Sequence, residues 1–288
     1  MFPSRFDYVA ARSVDEALAA KASGDDVRFL AGGQSLLPMM KTRLATPAKL
    51  VDINRIPGLD VLERDNGTLR VGALVRHAAL ARSDLTFGAI ASAAPWISDP
   101  LVRNRGTLCG SVSHCDPEGD WNSVLLATGA DVVARGPSGE RLIPIGEFVA
   151  DVFTNSLADD EIVTEVRIPV PAARAGGSYQ KLERKVGDYA TVGVAAHLEL
   201  ADDGTITRAG LAMTSVAPIN TKATAAEALL VGNVPSDELF GEAGELAAQA
   251  SEPRSDVRGS AEWKRNVVRV FTRRALSAAS DQAQSREE

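Results

Sequence analysis

Two short runs of small residues carry the chemistry that is most legible in this sequence. Ala31-Gly32-Gly33-Gln34-Ser35 lies between a β-rich run and a helical pattern. Bare backbone amides there can approach an anionic diphosphate with no side chain in the way. The spacing is neither the G-x-G-x-x-G of a nicotinamide-binding unit nor the G-x-x-x-x-G-K of a P-loop. Glycine pairs after strands also make ordinary turns, so this run gains meaning only beside a second one. Thr107-Leu108-Cys109-Gly110-Ser111 is that second run, with two hydroxyls and a glycine, and it reads as a loop able to clamp the same diphosphate from the opposite side. Cys109, His114, Cys115 and Asp116 form a rival, since thiolate, imidazole and carboxylate all bind zinc or iron. The five residues between the two cysteines suit neither a finger nor a ribbon, and no further cysteine exists to build a cluster. No metal is therefore expected. His77 and His197 fall on apolar elements and read as structural.

The elements that must hold these runs can be read from caps and periodicity. Ser13-Val-Asp-Glu16 is a capping box that opens a helix over about 13–23, and Val27 to Ala31 is a short strand ending at the glycine pair. A helix over Leu36 to Leu44 and a strand over Leu50 to Ile53 complete a βαβ-like unit. Asn66-Gly67 marks a hairpin within Val61 to Val75, and Gly-Pro-Ser-Gly at 136–139 marks another between Asp131 and Ile143. His77 to Arg82 and Phe87 to Ala94 read as helices, and Glu161 to Ile168 as a strand. Pro169 to Gly177, rich in Pro, Ala and Gly, reads as a connection. Beyond it come three strands, Ser178 to Arg184, Gly193 to Leu200 and Ile206 to Met213, then helices over Lys222 to Leu230, Leu239 to Ala250 and Ala261 to Ala279. In the last, Trp263, Val267, Val270, Phe271 and Ala275 share a face expected to be buried, and Asp281 to Glu288 is expected to fray.

Composition removes whole classes of function. The 288 residues are 45% hydrophobic and 24% charged, the balance of a globular protein rather than a disordered or collagenous one. The net charge of -7 disfavours binding to a phosphate backbone, so nucleic acid is not an expected partner. No apolar stretch approaches 18 residues, the N-terminal segment lacks an apolar export core, and two free thiols suit a reducing cytoplasm.

Three ordered segments, AGGQSLLPMMKTRL, TLCGSVSHCDPEGD and KLERKVGDYATV, together resemble the FAD-binding medium subunit of the molybdenum hydroxylases, the family of carbon monoxide dehydrogenase and xanthine dehydrogenase. The resemblance covers nearly the whole chain, including DVRGSAEWKRNVVRVFTRRAL at 256–276, which is similar to the family's C-terminal signature helix. It implies an α+β protein with a two-lobed, p-cresol methylhydroxylase-like FAD-binding fold over 1–175, its lobes spanning about 1–55 and 56–175. A smaller C-terminal domain of antiparallel sheet with helices is implied over 176–288.

Residue by residue, the resemblance implies that Leu30, Ala31, Gly32, Gly33, Gln34, Ser35 and Leu36 hold the FAD diphosphate, with Thr107, Leu108, Cys109, Gly110 and Ser111 gripping it opposite. Asp120 matches an acidic residue on the flavin's sugar-like chain, Val163 an apolar and backbone contact, Lys181 a cation beside the ring, and Tyr189 a side chain laid over the isoalloxazine. Asp188 and Lys185 read instead as a solvated charge pair. Cys109 stands where the family usually has glycine, so a positive φ there would strain it. Gln34 differs from the histidine associated with carbon monoxide dehydrogenases.

By the same resemblance, substrate is oxidised at a molybdenum cofactor in a large partner subunit, and electrons arrive through two 2Fe-2S iron-sulfur clusters in a small one. FAD then delivers them to a quinone, oxygen or NAD. No residue of this chain is expected to be catalytic for the hydroxylation itself. A dimer of heterotrimers is expected, cytoplasmic, with any membrane association coming through the complex. Two other readings stay open: a stand-alone FAD oxidoreductase, and an assembly subunit that has lost FAD.

Overall fold

The structure, a computed structural model, describes residues 2–171 and 173–285. Its first layer is a small parallel sheet of β1 (Asp7–Ala10), β2 (Val27–Leu30) and β3 (Lys49–Asp52), with helices α1 (Val14–Ala22) and α2 (Leu36–Lys41) in the connections. The strand order is β1-β3-β2. The capping box forms as expected, with Ser13 accepting from the Glu16 amide at 3.1 Å and Glu16 reaching back to the Arg12 amide at 2.8 Å. Strand β1 has no counterpart in the sequence reading, because four half-exposed edge residues carry no apolar alternation.

The second layer contains the hairpin β4 (Leu62–Asp65) and β5 (Thr68–Gly72), closed by Asn66 at φ 46° and Gly67 at φ 75°. A run of short helices follows: α3 (His77–Leu80), α4 (Gly88–Ala93), α5 (Pro100–Arg103), α6 (Leu108–His114) and α7 (Asp120–Thr128). Next come β6 (Asp131–Gly136), β7 (Gly139–Pro144), α8 (Ile145–Phe148), β8 (Val149–Asp151), β9 (Thr154–Asn155) and β10 (Ile162–Pro169). The antiparallel sheet runs β4-β5-β10-β6-β7.

The third layer is an antiparallel sheet of β11 (Ala175–Leu182), β12 (Val192–Leu200), β13 (Ile206–Thr214) and β14 (Thr221–Lys222). Helices α9 (Thr224–Leu230), α10 (Asp237–Ala250) and α11 (Ala261–Gln284) accompany it. Together the layers make the expected α+β architecture with a C-terminal antiparallel sheet and helices.

Three details differ from the sequence reading. The connection expected over 169–177 is strand from Ala175 onward, and its glycines serve packing. A Cβ on Gly176 would overlap the Ala279 carbonyl, and one on Gly177 would stand 2.7 Å from the Ala89 amide, so α11 and α4 lie directly on the strand. The buried face of α11 is Lys264, Val268, Thr272, Ala275, Leu276, Ala279 and Ala283, while Trp263 is 43% exposed and Val267, Val270 and Phe271 are only partly buried. Small side chains win that face because the glycine-bearing strand allows close approach. Asp281 to Gln284 continue the helix, with Gln282 accepting from the Gly177 amide at 2.8 Å, so the expected fraying does not begin there; residues 286–288 lie outside the described residues.

Helix α7 ties the layers together, since every residue from Asp120 to Thr128 is buried. Trp121 is fully buried, worth on the order of 5 kcal/mol of apolar transfer. A Cβ on Gly210 would overlap the Ala127 carbonyl, which seats α7 on β13. That contact seats the C-terminal end of α7, and at the other end Asn220 Nδ2 donates to the carbonyl of its N-cap Gly119 at 3.1 Å.

Candidate functional site

The two small-residue runs converge. Gly32 packs on the backbone of the segment leading into Thr107: a Cβ there would overlap the Arg105 carbonyl oxygen and stand 2.7 Å from Gly106 Cα. Both runs line one cleft of about 1040 Å³, together with Asp120, Val163, Lys181 and Tyr189. Of the residues expected to hold FAD, only Leu108 is absent from the lining; its side chain is fully buried in the core.

A half-buried polar clamp that the sequence did not reveal holds the runs together. Asn54 donates through Nδ2 to the Ala31 carbonyl at 2.8 Å, and its Oδ1 accepts from the Arg76 guanidinium at 2.5 Å. The other arm of Arg76 donates to the Arg105 carbonyl at 2.5 Å. Burial, then the neighbouring Arg105, lowers the Arg76 pKa from its ordinary value. Backbone pairing adds to the clamp, with the His77 amide donating to the Gly106 carbonyl at 3.0 Å and the Leu108 amide to the Val75 carbonyl at 3.3 Å. Asn54 and Arg76 are 22 positions apart, and no pattern marks either one.

The amides of Gly32, Gly33, Gln34 and Ser35 have no acceptor among the described residues, and neither do those of Thr107 and Cys109. Unpaired N–H groups converging from two sides suit a dianionic bridge. Helices α2 and α6 have only six and seven residues, so these free amides, rather than a long macrodipole, supply the field. Gly33 adopts φ 73°, a left-handed conformation that favours glycine.

The second run is not the expected loop. Thr107 is the N-cap of α6, its hydroxyl accepting from the Gly110 amide at 3.1 Å, and Leu108 to Ser111 are the first turn. Cys109 therefore has helical backbone and no positive-φ strain. Its thiol donates to the Val71 carbonyl at 3.4 Å, away from the amides, and burial raises its pKa well above the ordinary thiol range. Cys115, with φ 50° at the end of α6, is likewise pushed up to about 12 by burial. Among the described residues no His, Cys, Asp and Glu side chains gather into a metal-binding group; the ring of His114 packs on Phe153 instead.

At the α7 end of the cleft, Asp120 is the first residue of the helix rather than its cap, which is Gly119. Its carboxylate accepts from Tyr179 Oη at 2.6 Å and from Lys181 Nζ at 3.0 Å. Burial raises the Asp120 pKa, opposed by the Lys181 charge and the Tyr179 hydroxyl. Burial first, then Asp120, pushes the Tyr179 phenol well above its ordinary value. Lys181 Nζ also donates to the Trp96 carbonyl at 3.0 Å and lies 3.6 Å from Glu183 Oε2, so its ammonium is surrounded by this chain's own acceptors. Tyr189 is 49% exposed at the cleft wall, its pKa raised by burial and then by Asp116, Glu118 and Asp120. The expected Asp188 and Lys185 pair does not form; Asp188 pairs with Arg184 at 3.2 Å, the i,i+4 neighbour.

His77, read from sequence as a core residue, is 4% exposed but lines the cleft. Trp121 Nε1 donates to its Nδ1 at 3.0 Å, and burial lowers its pKa to about 3. His197 is structural as expected, buried on β12 with Glu199 at 3.0 Å.

Comparison with known proteins places this geometry. Residues 4–171 match the family described as FAD binding domain in molybdopterin dehydrogenase, and residues 177–279 match CO dehydrogenase flavoprotein C-terminal domain. The chain is 38% identical over 283 residues to the carbon monoxide dehydrogenase medium chain of Hydrogenophaga pseudoflava, covering 97% of this chain and 98% of that one. It is 36% identical over 292 residues to the 6-hydroxypseudooxynicotine dehydrogenase complex subunit alpha of Paenarthrobacter nicotinovorans, covering 100% and 99% of the two chains. A solved structure of the Hydrogenophaga pseudoflava carbon monoxide dehydrogenase, lacking the Mo-pyranopterin moiety, superposes with a TM-score of 0.94 at 40% identity, covering 98% of this chain and 99% of that chain.

Proposed function

The chain belongs to the family of FAD-binding medium subunits of molybdenum-containing dehydrogenases, and from that premise we propose how it works and with what. It is the FAD-binding oxidoreductase subunit of a complex with large and small partners. Held in this subunit, FAD would supply the means to take electrons singly from iron-sulfur clusters of the small subunit and pass them to an external quinone, oxygen or NAD. The substrate is oxidised at the molybdenum cofactor of the large subunit, and the whole assembles as a dimer of heterotrimers.

The observation that carries the proposal is the convergence of the two amide-rich runs on one cleft. Leu30 to Leu36 and Thr107 to Ser111 hold the diphosphate, the latter through the first turn of α6, in which Leu108 anchors the turn through its core side chain and its amide on Val75. Asp120, Val163, Lys181 and Tyr189 line the remainder. Because Lys181 is already engaged by Asp120 and Glu183, its main work is to keep the Asp120 carboxylate ionised and aimed along the cleft. The division at 175/176 is supported by the gap between the two family matches, and the lobes of about 1–55 and 56–175 by their separate parallel and antiparallel sheets. No helix among the described residues is long and apolar enough to cross a membrane, and a cytoplasmic location is proposed.

Gly33→Trp tests the site, because a Cβ at Gly33 already stands 2.9 Å from the Leu37 side chain and φ is 73°. The purified variant should lack visible flavin absorbance; full flavin occupancy would place the cofactor elsewhere.

A further inference from the structure

His77 presents a donor that nothing among the described residues uses. An indole N–H can only donate, so the bond from Trp121 Nε1 requires a lone pair on His77 Nδ1 and puts the ring proton on Nε2. Protonating Nδ1 would set two N–H groups against each other, and Trp121 itself is fully buried. The Nε2–H has no acceptor among the described residues and is not one of the fully enclosed unpaired polar atoms, so it reaches the open cleft that His77 lines.

The position of that donor says what it meets. Gly106 lies against the same edge of the ring, where a Cβ would stand 2.8 Å from both Cδ2 and Nε2. Gly106 is also the residue on which Gly32 packs, so His77 sits at the seam between the two amide-rich runs and lines the cleft they share. We propose that His77 is a cofactor-binding residue, its Nε2–H donating to an anionic oxygen of the dinucleotide's diphosphate while Trp121 fixes the tautomer. The proposal rests on the reading that this cleft holds FAD by its diphosphate. It adds a neutral donor from a third segment to the two backbone runs.

Two substitutions separate binding from mere support. His77→Asn keeps a carbonyl oxygen where Nδ1 accepts from Trp121 but has nothing at the Nε2 position. His77→Gln reaches the Nε2 position with an amide N–H and leaves Trp121 unpaired. Titrating the full-length, FAD-stripped chain, His77→Asn should melt near wild type yet bind FAD at least about tenfold more weakly, as for a lost hydrogen bond to a charged group. ADP, which carries the diphosphate without the flavin, should lose affinity by a similar factor. His77→Gln should melt lower and keep FAD affinity within about threefold.

Wild-type affinity of His77→Asn for both ligands would overturn the proposal, and so would a loss confined to FAD. Should His77→Asn fail to fold, 15N spectra of the wild-type chain decide: ADP must shift the His77 Nε2–H resonance, and an unmoved resonance overturns the assignment. Retention of FAD by Gly33→Trp would instead refute the site reading beneath it.

Discussion

Replacing Gly32 with alanine probes whether the closeness of the two runs is what makes the site. The added Cβ would overlap the Arg105 carbonyl and meet Gly106 Cα at 2.7 Å. Both neighbours are backbone, held by the Arg76 guanidinium and by the His77 amide, so neither can swing aside. Opening the 2.7 Å contact to the 3.4 Å at which ordinary contact begins takes a displacement of about 0.7 Å, and clearing the tighter overlap with the Arg105 carbonyl takes more. Overpacking of this kind costs about 1–3 kcal/mol. The same displacement moves one set of amides off the other, and since hydrogen bonds weaken steeply with geometry, FAD affinity should fall about tenfold or more. The assay is a flavin-fluorescence titration of the stripped chain beside thermal melts of the FAD-free protein. Gly241→Ala is the control: no atom lies within 4 Å of its Cβ, it sits inside α10, and alanine should be neutral or stabilising there. Unchanged melting and FAD affinity within twofold of wild type for Gly32→Ala would refute the argument that direct backbone contact aligns the two runs.

Two further expectations concern charged side chains. Lys181→Met should cost about 3–5 kcal/mol in urea denaturation by stranding the buried Asp120, with Asp120→Asn added to it recovering part of that loss; a single variant as stable as wild type would contradict the pairing. Glu199 is held down to about 2, first by the His197 hydrogen bond and then helped by Arg208. Because its folded pKa is depressed, its contribution is complete above the ordinary 4.5 and is lost as pH falls toward 2. Glu199→Gln should flatten that segment of the acid-unfolding curve, and an unaltered slope would remove Glu199 from the account.

Much of the secondary structure was legible because it is locally encoded. The Ser13 capping box and the Asn66-Gly67 turn each act over a few residues, and both form as read. Where local and tertiary demands diverged, packing decided. Gly176 and Gly177 look like linker residues but are strand residues whose missing side chains admit two helices. Trp263 looks like a core anchor but stays exposed, since the smaller residues of α11 fit the glycine-bearing strand. Thr107 to Ser111 read as a loop because glycine and serine obscure a helix only seven residues long.

The sequence by itself determined which backbone is bare enough to meet a diphosphate and which three motifs together mark the family, since both are properties of residue type in order along the chain. Only the tertiary structure decided that Arg76 and Asn54 clamp those runs, that Lys181 is taken up by Asp120 and Glu183, and that Trp121 leaves His77 with one free N–H over the cleft. Apart from the Lys181–Glu183 contact between near neighbours, those facts depend on pairings between residues 22 to 61 positions apart. A hydrogen bond between distant residues leaves no periodicity in the chain, because its energy depends on where folding brings two atoms and not on their spacing in sequence.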